Sequence, residues 1–157
     1  MEKNTVLIEV LNDLVEINHD RIQGYIKASD EAQDTDLDLK AIFANMSNNS
    51  KRFATELSHE VKVLGGEASG DTTNRGKIYR IWMDVKKAFA TNDRQAILSS
   101  CNFGEDAAQH AYETALASDA EISADLRKLI MAQKESLKDD QVLIKKYLEL
   151  HKDANSI

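Results

Sequence analysis

No proline occurs anywhere in the 157 residues of this chain. A proline in a helix interior costs about 3 kcal/mol, so a chain that avoids it entirely is free to build long, unbroken helices. Glycine is also sparing, at six, and Gly65 and Gly66 stand together as punctuation behind Leu64. The apolar spacing supplies the rest. At about 100° per residue, Leu7, Ile8, Leu11, Leu14, Val15, Ile22, Tyr25 and Ile26 share one face of a first helix, with Glu9, Asp13, Glu16, Asp20 and Gln23 opposite. This helix is expected over about residues 5–32.

After a short polar turn, a second helix is expected over about 36–64, carrying Leu39, Phe43, Met46, Phe53, Leu57, Val61 and Leu64 on its inner stripe. Thr35-Asp36-Leu37-Asp38 has the capping-box pattern at its start, and Gly65 is the left-handed stop at its end. A polar stretch leads to a short helix over about 75–90 with Ile78, Ile81, Trp82, Val85 and Phe89 on one face. Two more long helices follow, over about 93–117, where Asn92 and Gln95 form a capping pair, and about 120–152, capped by Ser118-Asp119-Ala120-Glu121. The expected fold is therefore all-α, a single four-helix-bundle domain over 1–157. Its hairpin–long connection–hairpin order is what a ferritin-like bundle needs, because that crossover must travel the length of the bundle. Trp82 and Phe89 on the short crossover helix form either a packing face against the bundle or a face for a partner.

Charge and cysteine narrow the function classes. A formal net charge of −7 disfavours nucleic acid and anionic membrane, both of which select clustered Lys and Arg. The single cysteine, Cys101, excludes an internal disulfide and CxxC motifs. The N-terminus lacks a signal-peptide pattern, and no stretch approaches the ~20 apolar residues of a membrane span, so a cytoplasmic protein without membrane insertion is expected. Self-association is compatible with the pattern; the sequence indicates no partner protein.

Several blocks are familiar. Leu11-Asn12-Asp13-Leu14-Val15-Glu16-Ile17-Asn18-His19-Asp20-Arg21-Ile22-Gln23-Gly24-Tyr25, Arg80-Ile81-Trp82-Met83-Asp84-Val85-Lys86, Gly104-Glu105-Asp106-Ala107-Ala108 and the Leu64-Gly65-Gly66 stop resemble a bacterial family of ferritin-like four-helix-bundle proteins of unknown function. The resemblance implies the fold and transfers no catalytic residues.

Two constellations merit weighing. Glu56-Leu57-Ser58-His59 is half of a ferritin-type di-iron motif, but the last helix carries no second Glu-x-x-His, and His59 falls far from the inner stripe. It reads as a solvated pair. The second constellation is a set of polar residues that interrupt the apolar faces near mid-helix: Asn18 and Arg21, Ser50 with Asn49 near, Glu105, and Gln133 and Asp140 with Gln141 at the edge. In an antiparallel bundle these midpoints meet at one level. Buried polar groups must pair, so the set is either a structural layer in which Glu105 meets Arg21, or an oxygen-rich metal site. The metal site would use Glu105, Asp140 and Gln133 or Gln141, with Tyr25 or Tyr112 close by. Such a donor set suits Mg, Ca or Mn better than Zn. Cys101 lies mid-stripe, as an inert packing cysteine does, and His19, His110, Glu113 and His151 fall at helix edges, outer faces or ends. The readings carried forward are a non-enzymatic structural, interaction or stress-related bundle without cofactor, and a ferritin-like oxidoreductase or metal store using Fe or Mn.

Overall fold

The computed structural model describes residues 2–31, 37–73, 76–89 and 93–155. They form five helices, α1 Glu2–Glu31, α2 Leu37–Val63, α3 Gly76–Phe89, α4 Arg94–Leu116 and α5 Ala124–Asn155. None of the described helices is long and apolar enough to cross a membrane.

The helix ends follow from local hydrogen bonding. Gly65, at φ +87°, takes the left-handed position behind α2. Its N–H reaches Lys62 O at 3.0 Å while Gly66 N–H reaches Val61 O at 3.0 Å, the paired closure of a Schellman stop. Asp93 caps α4 by accepting from Gln95 N and Ala96 N at 3.0 and 3.3 Å; Asn92, like Thr35 and Asp36 of the expected capping box, lies outside the described residues. The cap expected at Ser118–Glu121 is misplaced. Ser118 turns back to donate to Ala115 O at 2.7 Å and closes α4, and it is Ser123 whose Oγ accepts from Leu126 N at 3.2 Å to start α5.

Side-chain contacts fix the directions of packing. Ser29 to Lys40 and Ser47 to Ile22 make α1 and α2 antiparallel. Asn18 to Tyr112 and Arg21 to Glu105 make α1 and α4 antiparallel. Gln109 to Lys134 and Gln141 to Asn102 make α4 and α5 antiparallel. Two helices antiparallel to the same third are parallel to each other, so α2 and α4 run the same way. The connection between them must climb the whole bundle, which is the crossover of a ferritin-like fold.

That crossover lies across α1 rather than looping into solvent. Asn12 accepts from Ser69 N and donates to Glu67 O, both at 2.9 Å, His19 Nδ1 meets Asp71 O at 2.9 Å, and Thr73 Oγ1 donates to Asp20. A Cβ at Gly66 would fall 2.8 Å from the Ile8 side chain, so any larger residue there would force Ile8 to shift. This covering corrects the sequence-based wheel for Asp20, which the wheel placed toward solvent and which is buried. Ile26, which the wheel placed toward the core, is 39% exposed.

α3 then packs against α4 and α1. Its Trp82, 1% exposed, fits a slot made by two glycines, since Cβ atoms at Gly24 and Gly104 would each stand 3.1 Å from the indole. The face containing Trp82 is thus a packing face; the Phe89 side chain lies outside the described residues. One alanine in the slot lets the indole shift toward the other glycine. Gly24→Ala and Gly104→Ala together pinch it from both sides, and the double variant is expected to lose about 1–3 kcal/mol, the usual range for overpacking. Trp82 is the only tryptophan, so its emission reports the displacement directly; an unshifted spectrum with unchanged stability would show that the slot is not tight.

Two apolar clusters fill the interior. One gathers Leu11, Leu14, Phe53, Leu57 and Ile130, the other Tyr25, Phe43, Met46, Trp82, Leu98 and Ile144. The polar residues lie where the two meet.

Candidate functional site at mid-bundle

Each long helix sends a polar side chain to one point. Arg21 of α1 is fully buried and spends four N–H groups there. Its Nε and Nη2 donate to Glu105 Oε1 of α4 at 3.0 and 2.8 Å, Nη2 also to Asp140 Oδ2 of α5 at 3.2 Å, and Nη1 to Ser50 Oγ of α2. Tyr25, one turn along α1, donates its hydroxyl to the same Glu105 Oε1, and its ring lies under the guanidinium at 5.3 Å. Asn49 adds a hydrogen bond to Asp140.

One turn of α1 away, a second tier continues the layer. Asn18 donates to Tyr112 Oη at 2.9 Å, Tyr112 donates to Gln133 Oε1 at 2.7 Å, and Gln133 Nε2 donates to Glu56 Oε1 at 3.1 Å. All six polar-layer candidates, Asn18, Arg21, Ser50, Glu105, Gln133 and Asp140, are therefore interior, in two tiers rather than one. The other candidates separate. Glu56 is half-buried and joins the second tier, so it is not a solvated partner of His59, which is exposed. Gln141 is buried, but its amide donates to Asn102 and Asp106 of α4, away from Glu105. Tyr25 and Tyr112, noted from sequence only as neighbours, are full members. The signal for Tyr25 was an aromatic hydroxyl on the apolar face one turn from Arg21; Tyr112 lies two turns from Glu105 on the apolar face of α4.

The electrostatics follow from burial. Desolvation works against the Arg21 charge, yet the Glu105, Tyr25 and Asp140 oxygens outweigh it and hold the guanidinium more firmly protonated. Burial pushes the Glu105 carboxyl up, and Arg21 and Tyr25 pull it back; burial likewise raises Asp140 against the pull of Arg21. Glu105 Oε1 carries three hydrogen bonds while its buried Oε2 has no partner among the described residues. Tyr25 is raised well above its ordinary range by burial and then by Glu105, Tyr112 by burial, and the Cys101 thiol by burial and then by Glu105. Cys101 is thereby kept as a thiol and not as a nucleophilic thiolate.

These three raised groups predict alkaline lability. The folded chain holds protons that the unfolded chain releases above about pH 8.5 for Cys and pH 10 for Tyr. Stability is complete below those values and is lost as pH rises past them, at about 1.4 kcal/mol per pH unit for each group. Denaturation midpoints measured from pH 8 to 11 should fall progressively more steeply, and Tyr25→Phe should remove one group's share of the slope. A midpoint flat to pH 11 would mean that the rings ionise inside the folded bundle.

The residues present do not fit a ferritin-type metal pair. No histidine enters the layer, and the guanidinium stands between the two carboxylates that would ligate an ion. Among the described residues no three His, Cys, Asp or Glu side chains gather as metal ligands.

Fold and interior together define a ferritin-like four-helix bundle with an arginine-centred polar layer. In a comparison of solved structures, a Mycobacterium smegmatis Dps1 mutant superposes with a TM-score of 0.76 at 12% identity, over 94% of this chain and 97% of that one. At that identity the likeness concerns the fold alone. No curated protein matches the sequence. Residues 6–118 match the family described as Domain of unknown function (DUF2383), and the chain belongs to that family.

Proposed function

We propose that this chain is a non-enzymatic ferritin-like bundle that works without a bound metal, in a structural, interaction or stress-related role, with its polar layer locking the register of the four long helices. One observation carries the reading: Arg21 is fully buried and bonded at once to Ser50, Glu105 and Asp140, one residue from each of the other three long helices. A fixed side-chain cation supplies there the positive charge that two inward carboxylates require. Slipping α1, α4 or α5 by a turn would strand a buried charge, and slipping α2 would strand a guanidinium N–H; an unpaired buried charge is strongly disfavoured.

The test is elemental analysis of protein purified without added metal or chelator, followed by titration with Fe(II) and Mn(II). Sub-stoichiometric metal and no metal-dependent rise in melting temperature are expected, since a ligand stabilises only a state that binds it. Stoichiometric iron or manganese that disappears in Glu105→Ala would replace this reading with that of a metal store or oxidoreductase.

A further inference from the structure

A second polar cluster lies away from the layer, on the surface between α1 and α2. His19, Ala54, Thr55, Ser58, His59 and Lys62 line a hollow of about 380 Å³. Four of these, Thr55, Ser58, His59 and Lys62, follow the i, i+3, i+4, i+7 spacing that puts them on one face of α2. Among the described residues no Asp or Glu lines the hollow, although the chain carries 27 acidic residues and a net charge of −7. Two nearby acids are committed to other partners: Glu56 accepts from Gln133 and Asp20 from Thr73.

Three of the polar side chains in the hollow are uncommitted and two are held in place. The side chains of Ser58, His59 and Lys62 make no hydrogen bond or ion pair with the described residues. Thr55 spends its hydroxyl proton on Lys51 O at 2.9 Å and keeps its oxygen as an acceptor. His19 is held by the crossover, and because Asp71 O can only accept, the 2.9 Å contact puts the proton on Nδ1. In the neutral ring Nε2 is then a fixed acceptor. The hollow thus combines a cation at Lys62, donors at Ser58 and His59, and a positioned acceptor at His19.

We propose that this hollow binds a phosphate-type oxyanion that retains a P–OH, as hydrogenphosphate or the protonated form of a phosphate monoester. Lys62, Ser58 and His59 face its charged oxygens, and His19 Nε2 accepts from its P–OH. Sulfate has the same size and charge and no proton to give at neutral pH, so it leaves His19 Nε2 without a partner and binds more weakly. The site is independent of the mid-bundle layer.

The test is an NMR titration of the full chain with inorganic phosphate, with sodium sulfate and sodium chloride at matched ionic strength, and with glycerol 3-phosphate as the monoester. Saturable shifts confined to His19, Thr55, Ser58, His59 and Lys62 are expected, larger with phosphate than with sulfate and absent with chloride. Lys62→Ala and His19→Ala should each weaken phosphate binding about tenfold, the loss typical of one charge-assisted hydrogen bond, while Lys128→Ala on α5 leaves it unchanged. Tighter binding of the monoester would identify a phosphorylated molecule as the occupant, and equal binding would identify free phosphate. Shifts spread over all lysines, equal response to sulfate and phosphate, or binding of Zn(II) at His19 and His59 without any phosphate response would each overturn the proposal.

Discussion

Glu105→Ala should lower the melting temperature by about 6–12 °C, corresponding to about 3 kcal/mol in a chain of this size. The substitution removes the oxygen that accepts from Arg21 twice and from Tyr25 once. It leaves a buried guanidinium with Asp140 at 3.2 Å and Ser50 as its remaining partners. Breaking a buried pair costs about 3–5 kcal/mol when no partner remains; Asp140 holds the loss to the lower end. Glu105→Gln should lose less. It keeps an acceptor for Arg21 and places its amide nitrogen at the Oε2 position, which has no partner among the described residues. Thermal melts of the three proteins decide the matter, and identical curves would show that the Arg21–Glu105 contact contributes nothing to stability.

Trp82→Ala is expected to lose about 3–5 kcal/mol, the range for truncating a buried aromatic. The indole fills the slot between Gly24 and Gly104 and meets Tyr25 edge-on at 5.9 Å, so its removal empties the seat of α3 and loosens the cover over the Tyr25–Glu105 contact. Trp82→Phe should lose less, because a ring remains and the buried indole N–H, which has no acceptor among the described residues, is removed as well. Far-UV circular dichroism gives the stability, and limited proteolysis across residues 64–93 reports whether α3 undocks. Wild-type melting together with wild-type protection in Trp82→Ala would show that α3 is not held by this side chain.

Both predictions rest on features of unequal legibility in the sequence. The long helices follow from apolar periodicity in a chain without proline, and the α2 stop from Gly65. The polar layer was readable because Asn18, Arg21, Ser50, Glu105, Gln133 and Asp140 each interrupt an apolar stripe, and an interruption at the same height on every helix has few explanations. What escaped were effects of neighbours that a helical wheel does not contain. Asp20 is buried by a crossover segment whose path no periodicity encodes. Glu56 is drawn inward by Gln133 of α5, while Gln141 at the edge of its stripe finds Asn102 and Asp106 instead of Glu105. Ser118 and Ser123 are chemically equivalent caps, and only the closure of α4 assigns the first to one helix and the second to the next. The partition of the layer into two tiers likewise depends on the rise between Asn18 and Arg21, which sequence phase alone does not resolve.

The parallel run of α2 and α4 has a kinetic consequence. Each hairpin, α1 with α2 and α4 with α5, closes through a short connection, whereas Arg21 and Asp140 are 119 residues apart in the chain and meet only when the hairpins dock. Loop closure over such a separation is entropically expensive, so these contacts belong late in folding. Until docking, Arg21 and Glu105 stay hydrated and neither loses its solvent shell. A misregistered encounter would strip that shell without providing the partner, and so it dissociates. The layer then acts as a late proofreading step on how the halves are joined, and Glu105→Ala should accelerate unfolding far more than it slows folding in stopped-flow experiments. A variant whose folding arm carries the whole change would instead place the layer in the folding nucleus.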